Sequence, residues 1–160
     1  MSPPTLSRSS STCSQVRPTT CSPRAAAYRS LADLRARAAV ADGQYREGLD
    51  LYRKVIEKMP SDAVVRYEYA QLLRDLNVQE EAVKQAAEAV RIDPKMAEAH
   101  RLLGTLELAA GEKDPARMDR GIAELREARR LAPGDIPTAA ALARALLAGQ
   151  QAVDDFALDQ

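Results

Sequence analysis

Three stretches of one build end in proline: REGLDLYRKVIEKMP at Pro60, EEAVKQAAEAVRIDP at Pro94 and DRGIAELREARRLAP at Pro133. Pro60 and Pro94 lie 34 residues apart, and Pro94 and Pro133 lie 39 apart. A recurrence of this length marks a stacked-repeat architecture, because each unit is one supersecondary element that cannot bury its apolar face without a neighbour.

Aligned on these prolines, Gly48, Ala82 and Gly121 occupy one place, and Val55, Ala89 and Ala128 another. Upstream, Ala36, Ala70, Gly104 and Ala143 share a third. Apart from Val55, these places hold only Gly or Ala. Small residues at fixed places let two helices cross closely, where a larger side chain would push the axes apart. Leu49, Val83 and Ile122 follow the first small residue, and Tyr52, Ala86 and Leu125 come three later on the same helical face. Each unit therefore reads as two antiparallel helices. Gly43, Asn77 and Gly111 in the short breaks suit a left-handed helix end. The prolines stop the second helix, and Ser61, Asp62 or Asp135 offers an oxygen to cap the next one.

The third unit is longer. Five extra residues lie within EKDPARMDR, between Gly111 and Gly121. Asp114 can cap and Pro115 can take the first turn, after which Met118, Ile122 and Leu125 share a face, so the second helix is expected to lengthen and to project at one edge. At the end of the chain, AVDDFALDQ is expected to begin the second helix of a partial fourth unit, either capping the stack or marking a fragment of a longer array.

Composition agrees with helices. One Phe, five Tyr and no Trp beside many Ala and Leu are poor material for strands. No apolar run reaches the roughly eighteen residues that membrane insertion needs. The chain carries 23 basic and 23 acidic groups, but residues 1–32 hold Arg8, Arg17, Arg24 and Arg29 and no acid. The remainder is therefore mildly acidic, with 19 basic groups against 23 acidic, which argues against nucleic acid as the partner.

Residues 1–24, MSPPTLSRSSSTCSQVRPTTCSPR, are poor in hydrophobics and broken by Pro3, Pro4, Pro18 and Pro23, so they are expected to be a disordered leader. Their Ser, Thr and Arg without acids also resemble an organelle transit peptide. Localisation is accordingly read as cytoplasmic, or organellar if the leader is such a peptide. Cys13 and Cys21 lie in this head, so no disulfide framework is expected.

The order small, small, aromatic or aliphatic, small, proline over roughly residues 29–150 resembles the tetratricopeptide repeat family. Its first-helix signature is only partly present, as Tyr69-Ala70 with Leu73, Leu103-Gly104 with Glu107, and Leu142-Ala143 with Leu146. In the opening helix, from about Ala25 to Asp42, Arg35 stands where an apolar residue is usual. The resemblance implies an all-α, right-handed superhelical solenoid of antiparallel helical hairpins. Its units span about 29–62, 63–96 and 97–135, with a partial fourth at 136–160.

It also implies a concave face lined by the first helices, where the family holds a peptide or a partner's helix. Carried onto this chain, those places are Asp33, Arg37, Tyr67, Glu68, Gln71, Arg74, Glu98, Arg101, Thr105 and Arg144. The implied function is a non-catalytic scaffold binding a protein or peptide partner. The alternative is a regulatory or assembly module of a larger enzyme or secretion system. Chaperone-binding members grip a terminal carboxylate at places that here read Asp33, Arg37, Glu68, Glu98 and Leu102. Three acids there would repel a carboxylate, so chaperone-tail binding is not expected.

Nothing in the sequence calls for catalysis, a metal or a cofactor. His100 is the only histidine, and no ordered cysteine accompanies it. GEKDPARMDRG lacks the ending of a phosphate loop. Glu80-Glu81 and Asp154-Asp155 read as acids favouring helix starts.

Overall fold

The computed structural model describes residues 23–111 and 114–158, with the side chains of 27–111 and 114–148. The expected leader lies outside them up to residue 22. Seven helices and no strand occur among the described residues: α1 (Pro23–Ala41), α2 (Tyr45–Lys58), α3 (Ala63–Asp75), α4 (Gln79–Ile92), α5 (Ala97–Ala110), α6 (Pro115–Leu131) and α7 (Ile136–Leu158). They form three antiparallel hairpins, α1–α2, α3–α4 and α5–α6, stacked in chain order, with α7 packed on α6 and α5.

The prolines act as expected. α2, α4 and α6 each end two residues before Pro60, Pro94 and Pro133, because the residue preceding proline is excluded from the helical region. Met59, Asp93 and Ala132 at those places have φ of −133°, −128° and −130°. Asp62 then caps α3 by accepting from the backbone N–H of Val64 and Val65 at 3.0 and 3.3 Å. Asp135 accepts from the Thr138 N–H at 3.1 Å at the start of α7.

Between the helices of a hairpin, Gly43 (φ 80°) and Asn77 (φ 58°) take the left-handed conformation. Gly111 does not. Its φ is −103°, and its reason for being glycine is space. A Cβ there would lie 2.7 Å from the Arg117 Cβ and 2.7 Å from the Glu107 carbonyl oxygen.

The small residues mark the crossings. Ala36, Ala70, Ala82, Ala89 and Ala128 are completely buried, and Gly48, Gly104 and Gly121 are buried with them. A Cβ on Gly48 would lie 2.9 Å from the Ala36 carbonyl oxygen, so the backbones of α1 and α2 approach with no room for a side chain between them. α5 and α6 approach in the same way. A Cβ on Gly104 would meet the Gly121 carbonyl oxygen at 2.8 Å, and one on Gly121 would meet that of Gly104 at 2.9 Å. Around the crossings one core runs from Ala32 through Tyr52, Val65, Tyr69 and Leu73 to Leu106, with the Tyr52 and Tyr69 rings stacked at 5.5 Å. A second core joins Leu125 to Ala141 and Ala145 of α7.

The extra residues of the third unit lengthen α6 to 17 residues, against 14 for α2 and for α4. Asp114 accepts from the Ala116 N–H at 3.0 Å, and Pro115 opens the helix. The added turn is tied back to α4 by Arg117, 3.0 Å from Glu80.

The break expected before AVDDFALDQ does not occur. α7 runs unbroken for 23 residues, since Gly149 carries no proline beside it and a single helical glycine costs only about 1 kcal/mol relative to alanine. Among the described residues no second helix covers Ala143, which is exposed, whereas its counterparts Ala36, Ala70 and Gly104 are buried.

Candidate functional site

The first helices of the hairpins, with α7, carry every residue expected on the binding face: Asp33 and Arg37 on α1, Tyr67, Glu68, Gln71 and Arg74 on α3, Glu98, Arg101 and Thr105 on α5, and Arg144 on α7. Four of them are joined in one line. Arg37 lies 2.8 Å from Asp33 on its own helix and donates across to the Gln71 side-chain oxygen at 3.5 Å. Gln71 in turn donates to the Tyr67 hydroxyl at 2.7 Å. This line of polar side chains crosses from the first hairpin to the second.

The others are held locally. Arg74 pairs with its neighbour Asp75 at 2.8 Å, Thr105 donates to the Leu102 carbonyl at 2.8 Å, and Arg144 donates to that of Ala140 at 3.3 Å. Arg101 points along the stack to Asp135, 3.4 Å away. Glu98 is exposed. Thr105 and Arg144 do share a feature, an apolar recess of ≈ 370 Å³ between α5, α6 and α7 whose walls include Leu108, Met118 and Ala145. Of the places compared with a chaperone-binding clamp, Leu102 is buried in the core, at 3% exposure.

Two features were not visible from residue type. Tyr52, read as packing, donates its hydroxyl to Asp33, so the line on the face is anchored from α2. Burial and this bond to a carboxylate raise the Tyr52 hydroxyl pKa well above its ordinary value. The second feature is Glu68. One of its oxygens is buried with no hydrogen-bond partner in the protein. Burial first, and then the negative charges of Asp33 and Asp62, opposed by Arg29 and Arg37, push its pKa up to about 7.

That shift has a consequence for stability. Unfolded Glu68 releases its proton near the ordinary 4.5 and folded Glu68 near about 7, so the folded state binds more protons between those values. Glu68 therefore lowers stability as pH rises through that window. Glu68→Gln is expected to remove this fall and to stabilise the protein at pH 8 by about 1 kcal/mol, after discounting for solvent screening. Urea midpoints from pH 4.5 to 8 measure it, and parallel profiles for the two proteins would contradict it.

His100 is buried, with Nδ1 2.7 Å from the Glu124 carboxylate and Nε2 3.0 Å from the Pro94 carbonyl, so neither ring nitrogen is open to a ligand. Among the described residues no group of three or more His, Cys, Asp or Glu is placed to hold a metal ion. None of the described helices is long and apolar enough to cross a membrane.

By architecture the protein is a helical-repeat solenoid presenting a polar face along its first helices. Its fold is that of tetratricopeptide repeat domains. The Sgt2 TPR domain from Aspergillus fumigatus matches it with a TM-score of 0.69 at 18% identity, over 83% of each chain. The second TPR domain of human RPAP3, in complex with the HSP70 peptide SGPTIEEVD, matches at 0.64 and 17%, over 76% of this chain and 97% of that one. In sequence, 75 residues are 43% identical to the TPR repeat-containing thioredoxin TTL4 of Arabidopsis thaliana. That match spans 47% of this chain and 11% of the relative. No family model matches the chain.

Proposed function

We propose that the protein is a non-catalytic scaffold that binds a protein or peptide partner across the face formed by α1, α3, α5 and α7. The observation that carries this reading is the line Asp33, Arg37, Gln71, Tyr67, which sets donors and one aromatic ring side by side across two hairpins. Such an array matches the spaced carbonyls and side chains of an extended peptide, and the recess beside Thr105 and Arg144 is suited to one apolar side chain of that peptide. The peptide held by the human RPAP3 domain supports a partner of this kind.

The partner is not an acidic chaperone tail. Asp33, Glu68 and Glu98 stand at places where a terminal carboxylate needs donors, and Leu102 is buried and has none to offer. A synthetic SGPTIEEVD peptide is expected to give no saturable binding.

The test takes a partner that co-purifies with the chain and measures its affinity after substitution. Tyr67→Ala with Arg101→Ala is expected to weaken binding by about 2 kcal/mol or more, since aromatic and Arg anchors dominate interfaces, and to leave the fold intact. Lys84→Ala with Arg126→Ala, on α4 and α6, should change affinity much less. The opposite ranking would assign the partner to the outer helices.

A second reading, a regulatory or assembly module of a larger enzyme or secretion system, is favoured by the small share of the Arabidopsis relative that the match covers. Catalysis would then belong to other domains.

A further inference from the structure

The joint that α7 makes with the third hairpin is built differently from the one that α5 makes with the second. Ala143 aligns with Gly104, so Ala141 and Ala145 hold the places of Leu102 and Leu106. Both leucines are buried, and they close the earlier joint by entering the core shared with α3 and α4. Alanine at the same two places leaves the later joint unfilled. The recess of ≈ 370 Å³ between α5, α6 and α7 lies there, with both alanines in its wall. An apolar void of about 150 Å³ already takes up a benzene ring, so this recess has room for an aromatic side chain. Its α7 wall is alanine methyls, and Met118 on α6 supplies an adaptable thioether that packs well against ring edges.

The same register shows a missing charge. Arg144 holds the place of Arg37, and Ala140 that of Asp33. Arg37 pairs with Asp33 at 2.8 Å, one turn earlier on its own helix. Arg144 reaches only the carbonyl of Ala140, at 3.3 Å, and no carboxylate lies within ion-pair distance of it among the described residues. Residues 136–148 of α7 contain no acid at all. This guanidinium stands in the wall of the recess.

We propose, resting on the reading above that a peptide lies across this face, that the recess is its specificity pocket: an aromatic side chain of the partner enters between α5, α6 and α7, and an acidic side chain beside it in the partner's sequence pairs with Arg144. The partner then supplies both missing parts, the bulk that Leu102 and Leu106 give the earlier joint and the carboxylate that Asp33 gives Arg37. The ring carries most of the affinity, because aromatic anchors in pockets dominate interfaces. The charge decides which aromatic residues are accepted, since complementary charges at a rim add more selectivity than affinity.

Selection of a phage-displayed library of random peptides on the full chain tests this. The recovered peptides are expected to share an aromatic residue with Asp or Glu beside it. Ala145→Leu, which restores the side chain found at Leu106, is expected to keep the helical signal and to weaken a synthetic copy of such a peptide about tenfold or more, because a filled pocket excludes the ring. If that variant loses its helical signal, Met118→Trp fills the recess from the α6 side. Arg144→Glu, at an exposed position, should also weaken binding, and changing the peptide's acid to Lys should restore binding to Arg144→Glu while weakening it to the unaltered chain. An empty selection overturns the proposal, as do peptides without the aromatic and acidic pair, peptides that bind the filled variant equally well, or a charge exchange that restores nothing. Peptides that ignore the filled recess but are lost with Tyr67→Ala and Arg101→Ala leave the proposed function standing and remove only the pocket. Peptides indifferent to every one of these substitutions overturn both.

Discussion

Gly104→Val lowers stability by about 3 kcal/mol or more, the upper end of the range for overpacking a close contact. The Cβ alone would lie 2.8 Å from the Gly121 carbonyl oxygen and 2.8 Å from the Leu125 Cγ. A side-chain tip can turn aside, but a helix backbone cannot without moving the whole of α6. Alanine would recover about 1 kcal/mol in helix propensity against that clash, whereas valine adds two methyl groups and a weaker propensity. Gly134→Ala serves as the control, since a Cβ there would meet nothing within 4 Å. Denaturant midpoints compare the two. Equal midpoints would mean that α5 and α6 are farther apart than described.

Leu125→Ala is expected to cost about 2–5 kcal/mol, the range for removing a fully buried leucine from a core that relaxes only in part. Leu125 has no exposed surface, fills the space beside Gly104 and is the largest buried side chain of the cluster that binds α7 to α6. In a stack where each unit touches only its neighbours, such a loss is felt first at the nearer end. The expected result is a split transition, with the amides of α7 and α6 exchanging before those of α3 and α4. A single cooperative shift of all helices would contradict that order.

The crossings were legible because they depend on size alone. Gly or Ala recurring at three aligned places has few explanations besides close helices, and the caps at Asp62 and Asp114 follow from residue type and position. Gly111 departs from the expected left-handed conformation, and the reason is general. Glycine serves both positive φ and close approach, and its neighbours in sequence do not distinguish the two. α7 runs on where the repeat alone predicts a stop, because the sequence around Gly149 supplies neither proline nor a cap.

On the candidate face, residue types were legible and their partners were not. Asp33 reads as a solvated acid, yet it receives the hydroxyl of Tyr52 from a different helix. Glu68 reads as an ordinary surface carboxylate, yet the stacking of α1 against α3 buries one of its oxygens. Arg101 is expected on the face, and its guanidinium is drawn along the stack by Asp135. Each of these depends on a contact with a different element of the stack, which no single helix encodes.

The most direct measurement of the central claim is photo-crosslinking to the co-purified partner, with p-benzoylphenylalanine installed in turn at Gln71, Thr105, Lys84 and Arg126. Gln71 and Thr105 lie on the first-helix face, whereas Lys84 lies on α4 and Arg126 on α6. The account predicts partner adducts from Gln71 and Thr105 and none from Lys84 or Arg126. Adducts from Lys84 or Arg126 with none from Gln71 or Thr105 would contradict it.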